Sequence, residues 1–182
     1  LPEPPRRTPA AEHTTRITGV GGTGVVTISQ VLGVAATLAG RHVRALDQTG
    51  LAQKGGAVVS DITISDAPIE RSSKAGAGSC DLYLVCDLLV GATPRYLEAA
   101  DPDRTVAVVS TTKVPTGQMV IDPATTFPDV AELTDGIRRA TRAEHAVLLD
   151  ARELAETVLG DDQYANVLLL GAAYQAGALP LP

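Results

Sequence analysis

A three-layer α/β/α domain with a mostly parallel or mixed sheet is what this sequence predicts, and three observations carry that expectation. Strand-like and helix-like segments alternate along the chain. A glycine-rich turn joins the first strand to the first helix. The 182 residues, at roughly 150 per domain, make one domain whose folding removes about 70% of the unfolded surface from water.

The elements follow in order. Residues 1–13, with Pro2, Pro4, Pro5 and Pro9 around Arg6 and Arg7, read as an extended proline-rich linker, and the domain proper is expected to span 14–182. A short strand over 16–20 leads into the glycines, and a helix over 25–39 follows from the apolar spacing of Val25, Ile28, Val31, Leu32, Ala35, Ala36, Leu38 and Ala39. Gly40 closes it as a C′ residue. A strand over 42–46 completes a strand, turn, helix, strand unit whose crossover is expected to be right-handed. Residues 47–56, DQTGLAQKGG, are too polar and glycine-rich for a core element and read as a loop at the carboxyl end of the sheet.

Residues 58–64 alternate with period two and predict a strand; 67–79 form a small-residue connection. Continuous apolar runs predict buried strands over 81–86 and 105–109, separated by a helical stretch over 88–100 broken at Pro94. A short strand is expected over 118–121. A helix over 130–142 ends in Arg138, Arg139 and Arg142, cations suited to a helix C-terminus. A last strand over 144–149 and helices over 151–159 and 164–176 complete the chain.

Composition excludes several classes of function. Apolar residues at 45% and charged residues at 20% exclude a disordered chain. With no Trp, one Phe and four Tyr, the chain lacks the stacking platforms of single-strand nucleic-acid binders. A net charge of −6 opposes phosphate backbones and anionic membranes, so neither nucleic acid nor membrane is an expected partner. Cys80 and Cys86 are spaced for neither a redox CxxC nor a zinc site. They read as core residues of a protein in a reducing, cytoplasmic compartment. No metal site is expected, because His13, His42 and His145 lack partners at metal-binding spacing. The chain begins at Leu1 and its one methionine is Met119, so it is expected to be a domain cut from a longer protein.

The strongest chemical signal is the turn Gly19-Val20-Gly21-Gly22-Thr23-Gly24, a G-x-G-x-x-G between a strand and a helix. Glycines allow a tight turn and close backbone approach, and the helix dipole favours an anion there. Asp47, 23 residues beyond Gly24, occupies the place of a ribose-binding acid, so a stand-alone NAD- or FAD-binding domain is one reading. A second reading gives the glycines a packing role only, in an assembly module. Against the first, Asp47 opens a long loop carrying Gln48, Thr49, Gln53, Lys54, Gly55 and Gly56, which looks built to contact something other than a ribose. Ser72, Ser73 and Lys74 resemble a small anion-binding cluster, yet a solvated loop is the commoner explanation of such a run.

The run from Asp47 to Ser60, DQTGLAQKGGAVVS, together with the preceding glycine turn, resembles the gamma-type domain of 2-oxoacid:ferredoxin oxidoreductases. The wording Gly-Leu-Ala-Gln-Lys-Gly-Gly is most similar to that of the indolepyruvate ferredoxin oxidoreductases. The closing helix, Asn166 to Gly177, is similar to the family too, and the resemblance spans about 14–182. It implies a Rossmann-like domain whose parent oxidatively decarboxylates an arylpyruvate, transfers the acyl group to coenzyme A and passes electrons to ferredoxin. It also implies that thiamine diphosphate, Mg and iron–sulfur clusters are carried by other domains, and that this chain is catalytically silent alone with no tightly bound cofactor. Coenzyme A is then the candidate small-molecule partner. Other subunits or domains of a homo-oligomeric parent, and ferredoxin through that parent, are the implied protein partners. Gly19, Gly21, Gly22, Thr23, Gly24, Asp47, Gln48, Thr49, Gln53, Lys54, Gly55 and Gly56 are the implied binding residues, with Lys54 the expected contact to carboxylate or phosphate. Two departures stand out: Asp61 follows Ser60 where many relatives carry His or another basic residue, and the chain stops at Pro182 where the family continues, so an exposed apolar patch is expected.

Overall fold

The computed structural model describes residues 2–50, 55–122 and 124–182. Its elements are β1 (Glu12–Val20), α1 (Val25–Leu38), β2 (His42–Thr49), β3 (Ala57–Ser65), β4 (Leu82–Val85), α2 (Leu88–Gly91), α3 (Pro94–Leu97), β5 (Val106–Ser110), α4 (Gly117–Ile121), α5 (Val130–Arg139), β6 (Val147–Leu149), α6 (Ala151–Leu159) and α7 (Ala165–Gln175). Six strands form one sheet in the order β2-β3-β1-β4-β5-β6. β1, β4, β5 and β6 run parallel, and β3 is antiparallel to both β1 and β2.

Helices cover both faces, giving the expected three layers. On one face Val25, Ile28, Leu32 and Ala36 of α1 pack with Leu169 and Ala173 of α7 over Ile17, Ile62, Leu84 and Val108. On the other, Leu88 and Ile137 pack over Tyr83, Val85, Ala107 and Val109. β4 and β5 are buried throughout, as continuous apolar runs in the middle of a parallel sheet must be. The helix ends obey local rules. Asp87 accepts from Val90 N–H at the start of α2, Pro94 opens α3, and Asp150 caps α6. No helix among the described residues is long and apolar enough to cross a membrane.

Several expectations are corrected. The segment 118–121 is not a strand but lies in α4, because the Thr116 hydroxyl accepts from Met119 N–H and starts a helical turn. Glu144 and His145 belong to a 3₁₀ turn, so the last strand begins only at Val147. β1 begins at Glu12, and His13, placed by the sequence in the linker, is fully buried in that strand. The residues before it hold fixed contacts: Arg7 N–H donates to Gly177 O at 2.9 Å and the Arg142 guanidinium to Arg7 O at 3.1 Å. Arg41 reaches Ala10 O, Pro180 O and the Asp66 carboxylate, so it ties both chain ends to the sheet.

The largest correction concerns residues 47–49, and it follows from the order of the strands. β2 is not the neighbour of β1. β3 returns from β2 as a hairpin and inserts between them, pairing along its whole length with both. β2 therefore extends to Thr49 as an exposed edge strand, and Asp47, Gln48 and Thr49 lie in it rather than in a loop. Polar residues suit a strand that faces water on its outer edge.

Candidate functional site at the carboxyl end of the sheet

β1, β2, β4 and β5 all end on one side of the molecule, where crevices form in open α/β sheets. Gly19 is required by close approach: a Cβ there would lie 2.5 Å from Val25 Cγ2 and 3.2 Å from Cys86 Cβ. Gly22 and Gly24 adopt φ of +89° and +91°, a region that L side chains avoid. The Thr23 hydroxyl donates back to Val20 O at 2.7 Å, and the Asn166 amide at the start of α7 donates to Thr23 O. Gly19→Ala is expected to cost about 1–3 kcal/mol through overpacking, read as a lowered urea midpoint.

The turn and the β2–β3 hairpin meet directly. Gly21 N–H donates to Gly56 O at 2.8 Å. The structure thus brings Gly19, Gly21, Gly22, Thr23 and Gly24 together with Gly55 and Gly56. Gln53 and Lys54 lie outside the described residues. The remaining expected residues separate, because side chains alternate along β2. Asp47 points to the α1 face, where it accepts a hydrogen bond from the Ser60 hydroxyl, itself 2.8 Å from the Ser29 hydroxyl. Thr49 shares the Asp47 face by the same alternation, while Gln48 lines a cleft of about 660 Å³ on the opposite face, with Lys74, Arg95 and Tyr96. The glycine turn borders a second cleft of about 380 Å³ with Asp87, Ser110, Arg152 and Asp162.

The two clefts differ in chemistry. Beside the glycine turn stand Asp87 and Asp162 against one cation, Arg152. Burial raises the Asp87 carboxyl above its ordinary range, opposed by the amides of Val90 and Leu89. The larger cleft carries Lys74 and Arg95 against Glu98, and the Ser72 hydroxyl accepts from Lys74 N–H on its wall. Its floor is Arg16, which donates through Nε and Nη2 to both oxygens of Asp61 at 2.7 Å and through Nη1 to Tyr96 O at 3.1 Å. Ala75 N–H also donates to Asp61. Asp61, where a basic residue was expected, is thus committed to holding the cleft floor. Sequence reasoning missed this pair; the signal was an Arg and an Asp inside two strand-like segments.

Cys80 is buried and Cys86 half-buried, and desolvation pushes each thiol up to about 12. At neutral pH they are thiols, not the thiolates that ligate clusters or attack substrates.

The family described as "Pyruvate ferredoxin/flavodoxin oxidoreductase" matches residues 14–182. The chain is similar to the indolepyruvate oxidoreductase subunit IorB of Archaeoglobus fulgidus, 26% identical over 173 residues covering 90% of this chain and 77% of that protein. It is similar also to IorB of Pyrococcus horikoshii, 28% identical over 170 residues, with 93% and 80% covered. Among solved structures, the pyruvate oxidoreductase subunit PORC of Thermotoga maritima has a TM-score of 0.64 at 20% identity, covering 94% of this chain and 79% of that one. A 2-oxoglutarate:ferredoxin oxidoreductase from Magnetococcus marinus, solved with 2-oxoglutarate, coenzyme A and succinyl-CoA bound, has a TM-score of 0.61 at 16% identity and covers 90% of this chain and 24% of that one. These structural likenesses speak to the fold; the match over 14–182 places the chain in the pyruvate ferredoxin/flavodoxin oxidoreductase family.

Proposed function

We propose that this chain is the gamma-type component of an indolepyruvate:ferredoxin oxidoreductase, which oxidatively decarboxylates an arylpyruvate to the acyl-CoA and passes the electrons to ferredoxin. Support comes from relatives named as indolepyruvate oxidoreductase subunits. The observation that carries the site is the Gly21–Gly56 hydrogen bond, which joins the glycine turn to Gly55 and Gly56 before β3 on the side assigned to the thiamine-bearing domains. Coenzyme A is the small-molecule guest. Lys74 and Arg95 in the larger cleft supply the cations and Ser72 a hydroxyl that its phosphates need, and Lys54 is a further cation by sequence. Thiamine diphosphate, Mg and the clusters belong to other parts of the enzyme. Two cysteines cannot ligate a four-thiolate cluster.

Lys54→Ala in the assembled enzyme is expected to raise the KM for coenzyme A or for the oxoacid about tenfold, as the loss of one charge-assisted contact does, while leaving the melting temperature in place. Unchanged kinetics would remove Lys54 from the site.

The dinucleotide reading is not favoured by the geometry. With β3 inserted, the end of β2 lies two strand spacings, about 10 Å, from β1, and Asp47 is bonded to Ser60 rather than free for a ribose. Titration calorimetry with NAD or FAD at millimolar concentration is expected to show no binding; saturable heat abolished by Asp47→Asn would reinstate that reading.

A further inference from the structure

We propose that the smaller cleft, between the glycine turn and the start of α7, binds an α-amino acid with an apolar side chain, its ammonium against Asp87 and Ser110 and its carboxylate against Arg152. The inference rests neither on the proposed activity nor on the coenzyme A site.

The inner end of the cleft is made of acceptors that lack donors. Asp87 and Ser110 both line it and are 6% and 2% exposed. The Asp87 side chain accepts from Val90 N–H, yet among the described residues it makes no ion pair. A buried carboxylate without a cation is costly until a partner arrives. Ser110, the last residue of β5, is fixed as an acceptor by the bonds behind it. Asp150 accepts from Glu153 N–H at 3.1 Å and from the Thr112 hydroxyl at 2.6 Å. With its one proton committed there, Thr112 Oγ1 accepts from Arg152 N–H at 3.3 Å and from the Ser110 hydroxyl at 3.0 Å. The Ser110 proton is therefore directed to Thr112, and its oxygen is left with lone pairs that no donor among the described residues meets. One charged and one neutral acceptor call for a donor that carries positive charge. The described residues hold no group of three potential metal ligands, so an ammonium is the match rather than a metal ion.

The outer end supplies the opposite charge. The Arg152 side chain is 43% exposed, and its Nη1 stands 3.7 Å from Asp162 Oδ2, too far for a hydrogen bond. The guanidinium donors are thus open to a carboxylate in forked geometry. Burial raises the Asp87 carboxyl, and the Val90 and Leu89 amides and then Arg152 oppose it. The two charges are therefore within electrostatic reach of each other, as the neighbouring ammonium and carboxylate of an α-amino acid require. Ile28, Val114, Ala165 and Val167 give the same cleft an apolar wall, and its volume of about 380 Å³ leaves room for a side chain as large as an aromatic ring. A few polar groups that fix orientation beside such a wall are what a small-molecule site needs.

The test is titration calorimetry of the purified protein near neutral pH with millimolar L-phenylalanine, which is expected to bind saturably. 3-Phenylpropionate lacks the ammonium and phenethylamine lacks the carboxylate; each is expected to bind at least about tenfold more weakly, as loss of a charged contact implies. Asp87→Asn keeps a cap for α2 and removes the charge. It is expected to weaken L-phenylalanine at least about tenfold and to narrow its advantage over 3-phenylpropionate, with an unchanged urea midpoint. Arg152→Gln is expected to weaken it as much and to narrow its advantage over phenethylamine. If Asp87→Asn does not fold, Ser110→Ala removes the other inner acceptor and is expected to weaken L-phenylalanine in the same way. Absence of saturable binding by the wild type, equal affinity for 3-phenylpropionate, or an affinity that survives the substitutions at both ends of the cleft would each overturn the proposal.

Discussion

Replacing Asp61 by Asn is expected to lower the unfolding free energy by about 3–5 kcal/mol, the cost of leaving one member of a buried ion pair uncompensated. Arg16 is 4% exposed and Asp61 fully buried, and they face each other across β1 and β3 in direct register. The carboxylate accepts three hydrogen bonds, two from the guanidinium and one from Ala75 N–H. Asn keeps the volume but removes the charge that offsets desolvation of the guanidinium. The contrast is Arg71, whose pair with Glu12 is 42% and 53% exposed at the side chains; Arg71→Ala is expected to cost no more than about 1 kcal/mol. Urea unfolding of the two variants checks both. Near-equal midpoints would show that the Arg16–Asp61 pair does not hold the cleft floor.

A second large effect is expected on acidification. Burial lowers His13 to about 4 from 6.5, with Asp81 opposing and Arg104 and Arg41 reinforcing the shift. Its Nε2 lies 3.0 Å from the Thr15 hydroxyl, and its Nδ1 has no hydrogen-bond partner among the described residues. The native state therefore holds a neutral imidazole while the unfolded chain binds a proton below pH 6.5. Stability from this residue is complete above pH 6.5 and is lost as the pH falls to about 4, in all about 3 kcal/mol. Between pH 7 and pH 5 the wild type is expected to lose about 2 kcal/mol. His13→Gln is expected to abolish that part of the pH dependence, and an unaltered profile in the variant would assign the loss to other groups.

Much of the fold was legible because its signals are local. The apolar runs of β4 and β5, the helical spacing of α1 and the strand–glycine–helix turn each state their own structure within a dozen residues. Pairing is not local. The insertion of β3 between β1 and β2 follows from which strand meets which, and the sequence showed only a hint: two strand-like segments flanking a glycine-rich stretch, which is the pattern of a hairpin. That single omission displaced Asp47 from the turn and divided the expected site between two faces of the sheet. Arg16 and Asp61 were missed for the same reason, since only the β1–β3 register brings them together. Short segments failed differently. The four residues 118–121 were too few to outweigh the Thr116 cap, and the 3₁₀ turn at 143–145 imitates a strand start.

The account rests on membership of an oxoacid:ferredoxin enzyme with an aryl substrate. Its most direct test is anaerobic reduction of an electron-accepting dye by the complete enzyme, with indolepyruvate and then with pyruvate, each with and without coenzyme A. The account predicts coenzyme A-dependent reduction with the aryl acid alone; absence of reduction with either acid would contradict it.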